Sequence, residues 1–221
     1  MFAEVNGQKL YYEVTGEGRP LLLVHGNGED HTIFNEAAAI LKEQYTCYSL
    51  DSRGHGQSSP VSEYHYREMA EDLLAFLETE DLRDVIFYGF SDGGILGLML
   101  AAETDRITDL IVSGANLDPQ GVKPSIGRVI KLLNRLKPDP RVTMMLKEPD
   151  ITTEELGRIK ARTLVLAGSR DLIRREHTQK IADGIPGSRL RIVRGEGHGS
   201  YIVHSTKIAV LLGKWLKQKK S

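Results

Sequence analysis

The chain has 221 residues, a single cysteine and a formal net charge of −1, with 40% hydrophobic and 27% charged residues. That size and apolar content suit one α/β domain with an excursion, and the near-neutral balance offers no field for nucleic acid or an anionic membrane. One cysteine, Cys47, excludes an internal disulfide, no apolar run reaches bilayer-spanning length, and Met1–Gly7 lacks the basic and apolar regions of a secretory signal. A cytoplasmic location with no membrane partner is the expectation.

The first elements read as a hairpin: Phe2–Val5, an Asn6-Gly7 turn, then Lys9–Val14 in strand alternation. Leu21-Leu22-Leu23-Val24 is a continuous apolar run fit for a strand buried on both faces. Helices over 32–43, 63–79 and 92–103 then alternate with strands over 45–50, 85–89 and 107–113. Cys47 falls within strand 45–50 and reads as a small buried hydrophobe. Strands at 163–167 and 190–193 follow, separated by helix 176–183, and a last helix spans about 202–219. The short Lys-rich end, Lys214 to Lys220, suits the dipole of a solvated helix C-terminus. Such alternation predicts a doubly wound, mostly parallel sheet with helices on both faces.

One segment breaks the rhythm. Between strands 107–113 and 163–167 lie some fifty residues without a strand signal, holding five of the eight prolines. Ile126–Leu136 has helical periodicity, and Thr152-Thr153-Glu154-Glu155 resembles a capping box. Residues 117–150 are therefore expected to form a short helical cap on a core domain made of 1–116 and 151–221.

The chemistry gathers at predicted strand ends. Strand 85–89 runs into Gly89-Phe90-Ser91-Asp92-Gly93, a Gly-x-Ser-x-Gly turn followed by an apolar helix. A serine there is thrust out of a tight strand-to-helix turn, and glycines two residues away on each side avoid a Cβ clash across it. A serine nucleophile needs a base, a carboxylate to orient that base, and donors for an oxyanion. Strand 163–167 ends in Gly168-Ser169-Arg170-Asp171, which nominates Asp171 as the carboxylate, with Asp118 in the neighbouring loop as a competitor. Strand 190–193 ends in Gly195-Glu196-Gly197-His198-Gly199, a glycine-framed loop that nominates His198 as the base. His65, His177 and His204 fall in helix-like polar settings. The turn His25-Gly26-Asn27-Gly28 after strand 21–24 offers the Asn27 backbone N–H, which pairs with that of Asp92 as an oxyanion hole. His25 reads as structural. Metal binding by His25, Asp30 and His31 is disfavoured by the tight turn and the lack of matching ligands, so no metal is expected.

Together, His25-Gly26-Asn27-Gly28, Asp51-Ser52-Arg53-Gly54-His55-Gly56, Gly89-Phe90-Ser91-Asp92-Gly93-Gly94, Gly168-Ser169-Arg170-Asp171 and Gly195-Glu196-Gly197-His198 resemble the α/β-hydrolase superfamily. The resemblance covers nearly the whole chain. It implies an eight-stranded sheet, the triad Ser91–Asp171–His198, a cap between the sixth and seventh strands, and no cofactor. It also implies that Asp51, Arg53 and His55 hold loops together near the site. The insertion is shorter than the cap of many members, which implies a shallow or open pocket. Ser91-Asp92-Gly93-Gly94 looks like the elbow of the valacyclovirase-like branch, where the acid after the nucleophile is associated with a substrate amine. Asp92 is then a candidate amine-binding residue, beside the plain reading of an acid favoured by a helix N-terminus. The expected activity is hydrolysis of small carboxylic esters, with thioester, lactone or carbon–carbon hydrolysis on the same triad as alternatives. A non-catalytic small-ligand sensor on the same fold is the alternative of another class.

Overall fold

A computed structural model describes residues 1–218. Eight strands form one sheet in the order β1-β2-β4-β3-β5-β6-β7-β8. The strands are β1 (Phe2–Val5), β2 (Gln8–Thr15), β3 (Arg19–Val24), β4 (Tyr45–Leu50), β5 (Val85–Phe90), β6 (Ile107–Ser113), β7 (Arg162–Gly168) and β8 (Arg189–Val193). β1–β2 and β2–β4 pair antiparallel, and every other neighbouring pair is parallel. The hairpin turns at Asn6 and Gly7, both at positive φ, as an Asn-Gly type I′ turn requires.

Alternation within strands splits the core into two layers. Leu22, Val24, Val85 and Phe87 face one way, with α2 (Tyr66–Thr79), α3 (Asp92–Glu103) and α7 (Arg175–Gly184) packed over them. Leu21, Leu23, Ile86 and Tyr88 face the other, under α1 (Asn35–Leu41) and α8 (Lys207–Leu216). A strand buried on both faces must be apolar at every position, which is why β3 and β5 read as unbroken hydrophobic runs. Cys47 lies buried in the second layer, and burial pushes its thiol up to about 12.

Three helix boundaries differ from the sequence expectation, the second and third because of a distant partner. Residues 32–43 split into a 3₁₀ turn, His31–Phe34, capped by Asp30, and then α1. The helix expected from residue 63 begins at Tyr66, where the Glu148 carboxylate accepts the Tyr66 N–H. The last helix begins at Lys207, because His204 turns at positive φ and donates its N–H to Ile33 O. Its expected end at 219, with Lys219 and Lys220, lies outside the described residues.

Between β6 and β7 the chain forms α4 (Pro124–Leu136), α5 (Pro140–Met145) and α6 (Thr153–Gly157), the last opened by the Thr152/Glu155 capping box. The Ile151 N–H donates to Leu117 O at 2.8 Å, so the two ends of the excursion meet. Below it, the Asp51–Gly56 turn is clamped to α2. The buried Arg53 guanidinium donates to both carboxylate oxygens of Asp72, at 2.6 and 2.8 Å, and to Glu68. Removing one partner of a buried pair leaves the other charge uncompensated. Asp72→Ala is therefore expected to lower unfolding free energy by about 3 kcal/mol or more, read by urea denaturation.

Candidate functional site

The parallel strands leave β3 in opposite directions, β4 to one side and β5 to the other, so a crevice opens beyond the carboxyl ends of β3 and β5. The loop after β3 carries Gly26 and Asn27, and the turn after β5 carries Ser91. Ser91 has φ 53° and ψ −114°, a backbone state costly for a side-chain-bearing residue. The turn is held by the Ser91 N–H to Ser113 O (2.8 Å) and by the Gly93 N–H to His25 O (3.1 Å). Glycine is obligatory beside it, since a Cβ at Gly89 would meet Gly93 O at 2.1 Å and one at Gly93 would meet Val24 O at 2.1 Å.

The loops after β7 and β8 bring Asp171 and His198 to the same place. His198 Nε2 lies 3.0 Å from Ser91 Oγ, and His198 Nδ1 lies 2.7 Å from Asp171 Oδ1. A carboxylate can only accept, so the ring proton belongs on Nδ1, and Nε2 is left to accept from the serine hydroxyl. Asp171 is itself fixed by the Ile173 N–H on Oδ1 (3.0 Å) and the Gly168 N–H on Oδ2 (3.1 Å). Burial pushes its carboxyl up, but the His198 bond and these two N–H groups outweigh burial and hold it below the ordinary value. The imidazole lies beside the Phe90 ring, centroids 5.0 Å apart, and over Gly114, where a Cβ would meet its Cε1 at 2.6 Å. Asp118 is elsewhere occupied. It caps the short turn at Pro119–Gly121 through the Gln120 N–H, and the partner of His198 is Asp171.

Asn27 and Asp92 are joined through their side chains, Asn27 Nδ2 donating to Asp92 Oδ2 at 2.9 Å. Tyr66 Oη donates to the other oxygen, Oδ1, at 2.8 Å. Burial raises the Asp92 carboxyl above its ordinary value, against these two hydrogen bonds. The backbone N–H groups of Asn27 and Asp92 have no acceptor among the described residues. Tyr66 and Glu29 belong to the site but carry no sequence motif. Glu29 Oε2 accepts the Gly26 N–H at 3.0 Å, and burial raises its carboxyl. A glutamate following the His25-Gly26-Asn27-Gly28 turn was the only available signal, and Tyr66 had none.

Ser91 and His198 open into a cavity of about 260 Å³. Phe90, Val122, Ile130, Val142, Met145, Leu172 and Ile173 form its apolar wall; Asn27, Glu29, Tyr66, Asp92, Asn116 and Glu148 supply polar groups, and no Lys or Arg lines it. Ile130, Val142 and Met145 come from α4 and α5, so the excursion between β6 and β7 roofs the cavity.

His25, His55 and His65 have structural partners. His25 Nδ1 pairs with Gly26 O at 2.7 Å, while its Nε2 accepts the Ser52 N–H at 3.1 Å. His55 packs 5.0 Å away, ring to ring, and its Nδ1 meets Arg53 O at 2.9 Å. His65 Nδ1 meets Glu148 Oε1 at 2.7 Å. His177, expected in a polar setting, is buried in α7. Asp30, His31 and Asp51 converge closely enough to face a metal ion. Their lone pairs are engaged internally: Asp51 accepts from His31 and Gln57, and Asp30 accepts from Thr32.

A family model described as alpha/beta hydrolase fold matches residues 19–127. The chain has the α/β-hydrolase fold. The AB hydrolase superfamily protein YisY of Bacillus subtilis is 26% identical, over 93% of this chain and 94% of its own. The mouse serine hydrolase BPHL is 25% identical, over 90% of this chain and 79% of its own. Both alignments run longer than this chain, at 253 and 231 positions, so each relative carries segments that this hydrolase lacks. The crystal structure of the enol-lactonase from Burkholderia xenovorans LB400 superposes with a TM-score of 0.82 at 20% identity. It covers 99% of this chain and 100% of its own, a likeness of fold. No helix among the described residues is long and apolar enough to cross a membrane.

The buried His25 makes the stability of this hydrolase acid-sensitive. Burial, together with the neighbouring His55, lowers its pKa from 6.5 to about 4. Between those values the unfolded chain binds a proton that the folded chain does not, so stability falls as pH drops from 6.5 towards 4. That one group is worth about 3 kcal/mol across the window. Urea midpoints are expected to fall over this range in the wild type and to fall less steeply in His25→Asn, which cannot titrate.

Proposed function

We propose that this α/β-hydrolase cleaves small carboxylic esters through a Ser91 acyl-enzyme. The observation that carries the reading is the unbroken hydrogen-bond chain from Asp171 through His198 to Ser91, ending in the roofed cavity. His198 Nε2 takes the Ser91 proton as Oγ attacks the carbonyl carbon, and Asp171 steadies the imidazolium. The unengaged N–H groups of Asn27 and Asp92 receive the oxyanion, worth about 3 kcal/mol each in comparable sites. Collapse expels the alcohol, which takes its proton from Nε2, and a water activated by His198 then releases the acid. No step calls for a cofactor. The serine mechanism accords with the mouse relative, which is itself called a serine hydrolase. A cavity of about 260 Å³ falls below the usual range for drug-sized ligands, which favours short acyl groups. Residues 117–150 act as the cap, closed at its base by the Ile151–Leu117 bond.

A second reading places a substrate ammonium at Asp92. Asp92 is buried and accepts only from neutral donors, Glu29 and Glu148 share the cavity, and no Lys or Arg lines it. An uncompensated carboxylate there would draw a cationic substrate group. In this reading Asp92 has two tasks, since it also fixes the Asn27 loop.

Nitrophenyl acetate and butyrate are expected to be turned over repeatedly. Ser91→Ala is expected to cut kcat by about 10⁵-fold or more, and Asp171→Asn by about 10⁴-fold, with melting temperatures preserved. Burst labelling without turnover would favour a sensor. For the second reading, an amino-acid ester is expected to be hydrolysed at least about tenfold faster than its N-acetyl form. Equal rates would remove the amine site and leave the esterase intact.

A further inference from the structure

The roof helix α4 carries an apolar stripe that the rest of the molecule does not cover. Val129, Leu132, Leu133 and Leu136 stand at i, i+3, i+4 and i+7, with exposures of 54, 57, 59 and 74%. No residue of α4 is buried. Of the nine large hydrophobics exposed among the described residues, five lie on this helix, the fifth being Ile126. Scattered exposed leucines need no explanation, but a continuous helical stripe of them does.

A cationic row runs beside the stripe. Arg128, Lys131 and Arg135 follow the same helical spacing, and Lys137 comes just after the helix. None of the four is ion-paired among the described residues, and 123–137 contains no acidic residue in a chain of net charge −1. The inner side of α4 is modestly tied. Asn134 bonds Thr143 Oγ1 and the Asp139 N–H, and Ile130 reaches the cavity. The Lys123 N–H donates to Leu172 O and anchors the start of the helix.

We infer that the exposed face of α4 docks on the surface of an anionic lipid bilayer, lying in the interface with its leucines among the acyl chains and its cations at the headgroups. An amphipathic helix with apolar and cationic rows side by side has the make-up of an interfacial anchor. Charge argues against a second copy as the occupant, since pairing two such helices would gather eight unpaired cations and no acid at one contact. Docking would bring the roof of the cavity, to which α4 contributes Ile130, close to the membrane. The binding itself does not depend on catalysis.

The test is co-sedimentation of the full chain with vesicles of phosphatidylcholine containing phosphatidylglycerol, and with pure phosphatidylcholine, at low and high salt. Binding is expected to the anionic vesicles, to weaken with salt, and to drop about tenfold or more in Leu133→Asp/Leu136→Asp and in Lys131→Glu/Arg135→Glu. Circular dichroism and melting would establish that both variants remain folded, and the charge variant leaves the apolar stripe untouched. Equal partitioning onto both vesicle types, or none onto the anionic ones, would overturn the inference. So would a dimer in analytical ultracentrifugation that Leu133→Asp dissociates, since it would assign the stripe to a second copy.

Discussion

The molecule turns on one close approach: the strand-to-helix corner at Ser91 lies against the end of β3, with the Gly93 N–H bonded to His25 O. Only a glycine at 93 lets the Val24 carbonyl come so near, and only a serine held at positive φ presents its hydroxyl away from both strands. That contact brings the Asn27 and Asp92 amides to the same corner as the hydroxyl. The strain is held by buried strands on both sides, whose apolar residues give the backbone nowhere to relax. Loops after β7 and β8 then need only bring a carboxylate and an imidazole over Gly114, where a larger residue would push the ring away.

Around this corner the fold carries a dense set of buried polar groups. His25 bridges Gly26 and Ser52, Asp51 ties His31 to Gln57, and Arg53 ties the same turn to Asp72. Each of these three side chains has a partner, and so each acts as a fixed strut rather than a cost. The polarity of the cavity has the same origin. Asp92 braces the Asn27 loop from below, and its negative charge is balanced only by neutral hydrogen-bond donors. A group placed for structural reasons thereby colours the chemistry of the pocket.

The roof is built differently. The core helices bury continuous apolar faces, whereas α4 rests on Asn134, Ile130 and the tie at Lys123 and leaves its leucines outside. Within one chain this divides a densely packed floor from a thinly attached cover.

Much of this architecture was legible in the residues themselves. The apolar runs at β3, β5 and β7, the Asn6-Gly7 turn and the glycines around Ser91 are local signals, because strand burial and positive φ constrain residue type at the position itself. Asp171 and His198 were readable for the same reason, each standing just past a recognisable strand. Helix starts were not, where a cap comes from far along the chain: Glu148 opens the helix at Tyr66, and His204 is turned by its bond to Ile33. Tyr66 and Glu29 entered the cavity unannounced, since their roles consist of hydrogen bonds to Asp92 and Gly26 made only on folding. Sequence alone determined the order of elements and which polar side chains stand just past the strand ends, because those follow from local pattern. Only tertiary structure decided which carboxylate faces the imidazole, which groups share the cavity, and that the stripe on α4 stays uncovered, because these depend on distances between segments that no local pattern encodes.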